Sequence, residues 1–149
     1  MYIISACLLG ENCKYKGGNN FCAWVEEFAK SHSFLAVCPE VQAGMPTPRP
    51  PAEISGERVI NSKGEDVTEG FVRGAKECWE LAQQAARSRK EPVEGAILKA
   101  NSPSCGKDRV YDGTFSGTLT DGDGYFVRLL KKENIDVITE KENKVNGEL

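Results

Sequence analysis

Short apolar segments alternate with longer segments of helical periodicity. This alternation is the feature of the sequence that most limits which folds the chain can adopt. We predict strands at residues 2–6, 34–38, 95–99 and 135–139. We predict helices at residues 20–31, 67–89 and 124–133. Such alternation is typical of an open, mostly parallel sheet with helices on both faces. The sequence therefore predicts one α/β domain of this Rossmann-like kind over residues 1–149, with residues 141–149 as a frayed polar tail.

Two intervals lack a clear helical or alternating pattern. Residues 39–56 contain four prolines between positions 46 and 51. Proline interrupts both helices and strand pairing, so we predict a loop over this interval. Residues 101–122 are rich in Gly, Ser and Asp, and we predict irregular loop or a small hairpin around residues 111–119.

Apolar residues recur at helical spacing in the two longer helices. In the first, the predicted buried face consists of Phe21, Trp24, Val25 and Phe28. In the second, with Asp66 as its cap, the apolar stripe consists of Phe71, Ala75, Cys78, Leu81, Ala82 and Ala85. These faces are expected to pack against the sheet.

The charge and the cysteine content restrict the class of protein. A formal charge of −3 gives no basic field for gripping a nucleic-acid backbone, so we expect a small-molecule ligand and no duplex nucleic acid. No apolar run approaches the roughly 20 residues that cross a bilayer, and no signal-peptide pattern is present, so we expect a cytoplasmic protein and no membrane contact. In that reducing compartment, six cysteines are expected to be ligands, catalysts or buried thiols.

Three cysteines lie at or just after three successive predicted strands. They are Cys7, Cys38 and Cys105. The carboxyl ends of parallel strands meet at one edge of the sheet, so we expect these thiols to converge there. Three thiolates can hold a four-iron cluster and leave one iron open to a substrate. Two alternatives stay open: thiols that only pack in the core, and a zinc site, although the short ligand spacing usual for structural zinc is missing.

The other cysteines have less certain roles. Cys13 is a candidate fourth ligand or redox partner of Cys7. Cys22 and Cys78 are expected to be buried in the core.

Several polar residues flank the predicted ligands. Glu40 follows Cys38 through the stiff Pro39 and is a candidate general base. Ser5, Ser102 and Ser104 have hydroxyls that either orient a ligand or cap a turn. The cations assigned to an anionic or carbonyl-bearing substrate are Lys14, Arg49 and Lys99, whose alternative is an ordinary solvated charge.

Several unusual motifs, in order, resemble those of one family. They are Ser5-Ala6-Cys7-Leu8-Leu9-Gly10, Cys13-Lys14-Tyr15, Cys38-Pro39-Glu40, Pro48-Arg49-Pro50-Pro51-Ala52-Glu53, Gly64-Glu65-Asp66-Val67-Thr68, Leu98-Lys99, Ser102-Pro103-Ser104-Cys105-Gly106 and Tyr111-Asp112-Gly113-Thr114-Phe115. With these motifs the chain resembles the DUF523 family, which includes thiouracil desulfidases, over residues 2–140. One departure is Lys16, where the family often has Asp or Asn before the first loop glycine.

The resemblance implies a cofactor and a reaction. It implies a [4Fe-4S] cluster on Cys7, Cys38 and Cys105, and removal of sulfur from a thiolated pyrimidine such as thiouracil to give uracil and hydrosulfide. It implies that Glu40 and a serine assist catalysis, for which we choose Ser102 because it lies nearer the strand end. Ser5, Arg49, Lys99 and Ser104 are then the expected substrate contacts.

Two other functions are compatible with the same residues. One is a sensing module that binds the cluster or zinc without turnover, for which a fourth protein ligand such as Cys13 would be the distinguishing feature. The other is a thiol redox protein using Cys7 and Cys13, which the absence of a Cys-x-x-Cys motif disfavours.

Overall fold

A computed structural model describes residues 1–142, and its centre is a sheet of four parallel strands. The strands are β1 (Tyr2–Ser5), β2 (Phe34–Val37), β5 (Gly95–Leu98) and β8 (Val137–Thr139), which lie in the order β2-β1-β5-β8. All three pairings are parallel, and Ile4 of β1 lies between Ala36 of β2 and Ile97 of β5. The prediction of four parallel strands is confirmed.

Helices cover both faces of this sheet. Helix α1 (Ala23–Lys30) packs one face through Val25 and Phe28. Helices α3 (Thr68–Arg89) and α4 (Tyr125–Lys132) pack the opposite face. Successive residues of a strand point to opposite faces, so Ile3 and Ile4 of β1 join different cores. The predicted Rossmann-like α/β fold is confirmed.

The chain reverses its direction across the sheet between β1 and β5. From β1 the chain proceeds outward to β2, and it then returns through α3 to β5 on the other side of β1. Ligands bind at such a switch point, outside the carboxyl ends of the strands. Here the Ser5 hydroxyl oxygen accepts a hydrogen bond of 3.0 Å from the backbone N–H of Lys99, which joins the two strand ends.

The prediction of a loop over residues 39–56 is wrong in part. The interval contains a short helix, α2 (Pro39–Gln42), and the strand β3 (Ala52–Ser55), which pairs antiparallel with β4 (Arg58–Asn61). Pro39 stands in the first turn of α2, where its missing N–H costs nothing. The four later prolines occupy only the connection between α2 and β3, so they exclude regular structure from that connection alone.

The predicted helix faces need two corrections. Phe21 precedes α1 and is 50% exposed, and Leu81 of α3 is 41% exposed. Each continues the apolar spacing, but neither belongs to the buried cores. Val67, and not the predicted Asp66, is the N-cap residue of α3, although the Asp66 carboxylate accepts the N–H of Thr68, the first residue of the helix, at 3.0 Å.

A second hairpin and the chain end complete the description. Strands β6 (Arg109–Tyr111) and β7 (Leu119–Asp121) form the hairpin expected near residues 111–119. None of the helices within residues 1–142 is long and apolar enough to span a bilayer. The predicted frayed tail lies mostly in residues 143–149, outside the described residues.

Candidate functional site

A cavity of about 520 Å³ opens at the carboxyl edge of the sheet. Its wall is built from the ends of β1, β2 and β5 and from both hairpins. Every residue that the sequence nominated as a site residue lies on this wall, namely Ser5, Cys7, Cys38, Glu40, Arg49, Lys99, Ser102, Ser104 and Cys105. Lys14, Asn20 and Cys13 line it as well. The fold thus brings together residues that are far apart in sequence.

The three predicted cysteine ligands reach the cavity from three different local structures. Cys7 lies in a single 3₁₀ turn, Ala6–Leu9, that continues β1. Cys38 follows β2 directly and precedes the first turn of α2. Cys105 lies in the turn after β5, where Gly106 allows a tight backbone because a β-carbon there would lie 2.8 Å from the Ser102 carbonyl oxygen.

Cys13 lies between Cys7 and Cys38. A hydrogen bond from the Cys13 thiol lowers the pKa of Cys38 to about 7, against the opposing effect of burial. A hydrogen bond from the same thiol also lowers the pKa of Cys7. In turn, the hydrogen bonds to Cys38 and Cys7 raise the pKa of Cys13. The directions of these pKa shifts favour thiolates at Cys7 and Cys38 over one at Cys13.

Cys105 has a different environment. Burial raises the pKa of its thiol, and the neighbouring Ser5 and Ser104 hydroxyls act in the opposite direction. Both serines are only 3% exposed. The Ser5 hydroxyl is suited to stabilise a bound thiolate, whereas Ser104 donates its hydroxyl proton to Glu40.

The Glu40 carboxylate is held on both oxygens. Oε1 accepts from Arg49 Nε at 3.0 Å, and Oε2 accepts from the Ser104 hydroxyl at 3.0 Å. The pair is shielded from solvent, since the Arg49 side chain is 6% exposed and that of Glu40 is 16% exposed. Glu40 is therefore held in a fixed position at the cavity wall.

The rest of the Arg49 guanidinium contacts backbone and hydroxyl oxygens. Nη2 donates to the carbonyl oxygen of Cys13 at 2.8 Å. Nη1 donates to the Pro46 carbonyl at 3.2 Å and to the Thr47 hydroxyl at 3.1 Å. Arg49 thus connects the Cys13 loop with Glu40.

Two more nominated residues have partners within the protein. The Ser102 hydroxyl accepts the N–H of Cys105 at 2.8 Å, which closes the turn that carries that cysteine. Lys99 Nζ lies 3.1 Å from Glu140 Oε2 and donates to the Ala100 carbonyl at 3.0 Å.

Comparison with known proteins identifies the family. The model of the family described as 2-thiouracil desulfurase matches residues 2–142. The chain belongs to the 2-thiouracil desulfurase family. It is 38% identical over 152 residues to the protein YbbK of Bacillus subtilis (strain 168). This match covers 95% of this chain and 97% of YbbK.

A solved structure of the same type supports this membership. The chain is similar to the structure titled [4Fe-4S]-dependent thiouracil desulfidase TudS, with a TM-score of 0.81 and 41% identity. The match covers 95% of this chain and 91% of that one. The resemblance to DUF523 proteins is therefore confirmed.

The arrangement of the cysteines bears on the predicted alternative of a zinc site. A single zinc ion needs ligand atoms that converge to about 2.3 Å from one point. Across residues 1–142, no group of three or more His, Cys, Asp or Glu side chains is gathered in that way. A four-iron cluster binds each thiolate through a different iron, so thiols spread around a cavity suit it better than they suit zinc.

Some residues of the wall carried no role in the sequence analysis. Glu53 is a carboxylate only 9% exposed, and Tyr15, Tyr111 and Phe115 add aromatic surface. The available signal for Glu53 was its place at the end of the motif Pro48-Arg49-Pro50-Pro51-Ala52-Glu53. The aromatics lie on separate loops, and only the fold brings them together.

Proposed function

We propose that this chain is a [4Fe-4S]-dependent thiouracil desulfidase, which converts a thiolated uracil and water into uracil and hydrosulfide without net oxidation or reduction. The observation that carries the proposal is the shared cavity: thiols from three strand ends face it together with a fixed carboxylate. Membership of the 2-thiouracil desulfurase family and the likeness to TudS support the same reaction.

The cofactor is assigned to Cys7, Cys38 and Cys105. These residues fit it because thiolate sulfur is the usual ligand of iron–sulfur clusters, and the hydrogen bonds described above favour thiolates at Cys7 and Cys38. When bound, the cluster supplies an iron without a protein ligand, a Lewis acid for the sulfur of the substrate.

Glu40 is assigned the role of general base. Its carboxylate takes a proton from a water molecule, whose oxygen forms a bond to the thiocarbonyl carbon. The carbon–sulfur bond then breaks, and the water oxygen becomes the carbonyl oxygen of uracil. Its remaining proton goes to the sulfur, which leaves as hydrosulfide, and Glu40 releases the other proton to solvent. Arg49 holds Glu40 in place through its Nε, so we assign it a positioning role instead of the predicted substrate contact.

The contacts favour Ser104 over Ser102 as the serine that assists. Ser104 donates to Glu40 Oε2 and lies beside the Cys105 thiol, so it holds the base in position next to the proposed cluster. Ser102 lies 3.4 Å from the Ser104 hydroxyl oxygen and supports the turn. The catalytic role of Ser102 stays a prediction, as do the substrate contacts of Ser5 and Lys99.

The test is turnover under anaerobic conditions. Protein reconstituted with iron and sulfide is expected to release hydrosulfide and uracil from 2-thiouracil in equal amounts. The protein before reconstitution serves as the control. Reconstituted protein that releases neither product from any thiolated pyrimidine would overturn the proposal.

One observation favours a second candidate, a sensing module without turnover. Cys13 lies within hydrogen-bonding reach of both Cys7 and Cys38, where a fourth protein ligand would stand. In that case Cys13→Ser would alter the spectrum of the cluster strongly. In a desulfidase with three cysteine ligands, the same variant would retain cluster and activity.

The compartment and partners follow from the same proposal. We infer a cytoplasmic enzyme, because all six cysteines are free thiols and an open iron suits a reducing compartment. The partner is a small thiolated pyrimidine. Duplex nucleic acid is not expected as a substrate, because a base inside a helix cannot enter a cavity of this kind without leaving the stack.

A further inference from the structure

The second carboxylate on the cavity wall, Glu53, has no part in the chemistry assigned above. It lies in β3 and is 9% exposed, so its charge needs partners within the protein. Its Oε1 accepts the backbone N–H of Gly113 at 3.0 Å and that of Phe115 at 3.1 Å. Both donors belong to residues 112–118, which we call the aromatic loop and which connects β6 to β7.

The aromatic loop forms the outer wall of the cavity. Phe115 and Gly117 line the cavity, and Phe115 is 41% exposed. Phe115 also has a φ of +56°, in the left-handed region that side chains other than Asn and Asp rarely adopt. The hydrogen bond from its N–H to Glu53 is one contact that holds this unusual backbone in place.

The loop also approaches β3 closely at Gly113. This residue has a φ of +94°, and a β-carbon there would lie 2.9 Å from the carbonyl oxygen of Ile54. A glycine is therefore required for the loop to lie flat against β3, where Glu53 can reach it. Two independent features, a buried carboxylate and a close backbone approach, fix the same loop.

We propose that Glu53 is a positioning residue that sets Phe115 against the planar ring of the substrate. The inference rests on the proposed function, since a pyrimidine ring offers a flat π-face to an aromatic side chain. Glu53 acts through the loop and does not touch the reacting atoms. It therefore determines how tightly the ring is bound, while Glu40 determines the rate of the chemistry.

The experiment measures KM and kcat for 2-thiouracil in Glu53→Ala, Phe115→Ala, the double variant and Gly113→Ala. Each single variant is expected to raise KM about tenfold, with a much smaller change in kcat. The double variant is expected to be no worse than either single one, because both changes remove the same contact. Glu53→Gln retains an oxygen that accepts both N–H groups, so it should bring KM back to within about threefold of wild type. The exposed Glu57→Ala on the neighbouring turn is the matched control.

Hydrogen exchange separates this proposal from the proposed function. The amides of Gly113 and Phe115 should exchange faster in Glu53→Ala and at the wild-type rate in Glu53→Gln, whether or not the protein turns over. The positioning role would be overturned if the KM effects of the two single variants added up in the double variant, or if Glu53→Gln raised KM as much as Glu53→Ala does. Unchanged amide exchange in Glu53→Ala would also overturn it. A wild-type protein that releases no hydrosulfide would instead overturn the proposed function and, with it, the substrate contact of Phe115.

Discussion

Two buried thiols of the same core, Cys78 and Cys105, lie in opposite surroundings. Cys78, in the middle of α3, is 1% exposed and lies in a core with Ala75 and Ala82, and burial raises its pKa to about 12. Cys105 is 4% exposed, but its sulfur lies beside the Ser5 and Ser104 hydroxyls and faces the cavity. The difference teaches that burial alone does not distinguish a ligand from a packing residue. A ligand is distinguished from a packing residue by the hydrogen-bond donors around its sulfur and by its place at a strand end.

The largest expected effect separates the two thiols directly. Cys7→Ser, Cys38→Ser and Cys105→Ser are each expected to abolish assembly of the iron–sulfur cluster, because each removes one of three thiolate ligands. Cys78→Ala is expected to retain it and to lose only about 1 kcal/mol of unfolding free energy through poorer packing. Iron content and visible absorbance of the four proteins, prepared without oxygen, provide the measurement. If Cys78→Ala lost as much iron as the three Cys→Ser variants, the distinction between ligand thiols and packing thiols would be wrong.

The next effect separates chemistry from cluster binding at the carboxyl edge. Glu40→Gln is nearly isosteric but cannot accept a proton from water, so turnover of 2-thiouracil is expected to fall by ~10²-fold or more. The cluster absorbance should stay at the wild-type level. An equally active variant would exclude Glu40 from the mechanism.

A smaller effect is expected at Arg49. In Arg49→Lys the positive charge remains, but the fork that joins Glu40 to the Cys13 carbonyl is lost, and turnover is expected to fall about tenfold. Arg58→Lys is the matched control, because Arg58 also pairs with a carboxylate, Asp66 at 2.7 Å, but is 61% exposed. Turnover of 2-thiouracil is measured for both variants, and an equal loss in the two would mean that Arg49 has no special positioning role.

The smallest effect concerns how α3 supports α2, which carries Glu40. A β-carbon at Gly74 would lie 2.0 Å from the Pro39 carbonyl oxygen, so Gly74→Ala is expected to cost about 1–3 kcal/mol of unfolding free energy. At Gly70 a β-carbon would meet only the flexible end of Met45, at 2.7 Å. Gly70→Ala should therefore be tolerated better. Denaturant unfolding of the two variants makes the comparison, and equal stability would contradict the close packing of α2 on α3.

The sequence predicted the parallel sheet because the apolar segments are strong, well separated and bounded by turn residues. It also predicted convergence of the three cysteines, since strand ends meet at one edge of any such sheet. It missed α2, β3 and β4, because the prolines between positions 46 and 51 hid short elements on either side of them. Partner choices such as Ser104 with Glu40, and Glu53 with the aromatic loop, depend on contacts between residues about 60 positions apart, which periodicity cannot show.

The most direct test of the central claim is metal analysis of anaerobically purified wild-type protein. The account predicts brown protein with about four irons and an equivalent amount of acid-labile sulfide per chain, both lost on exposure to air. Stoichiometric zinc without iron would contradict it.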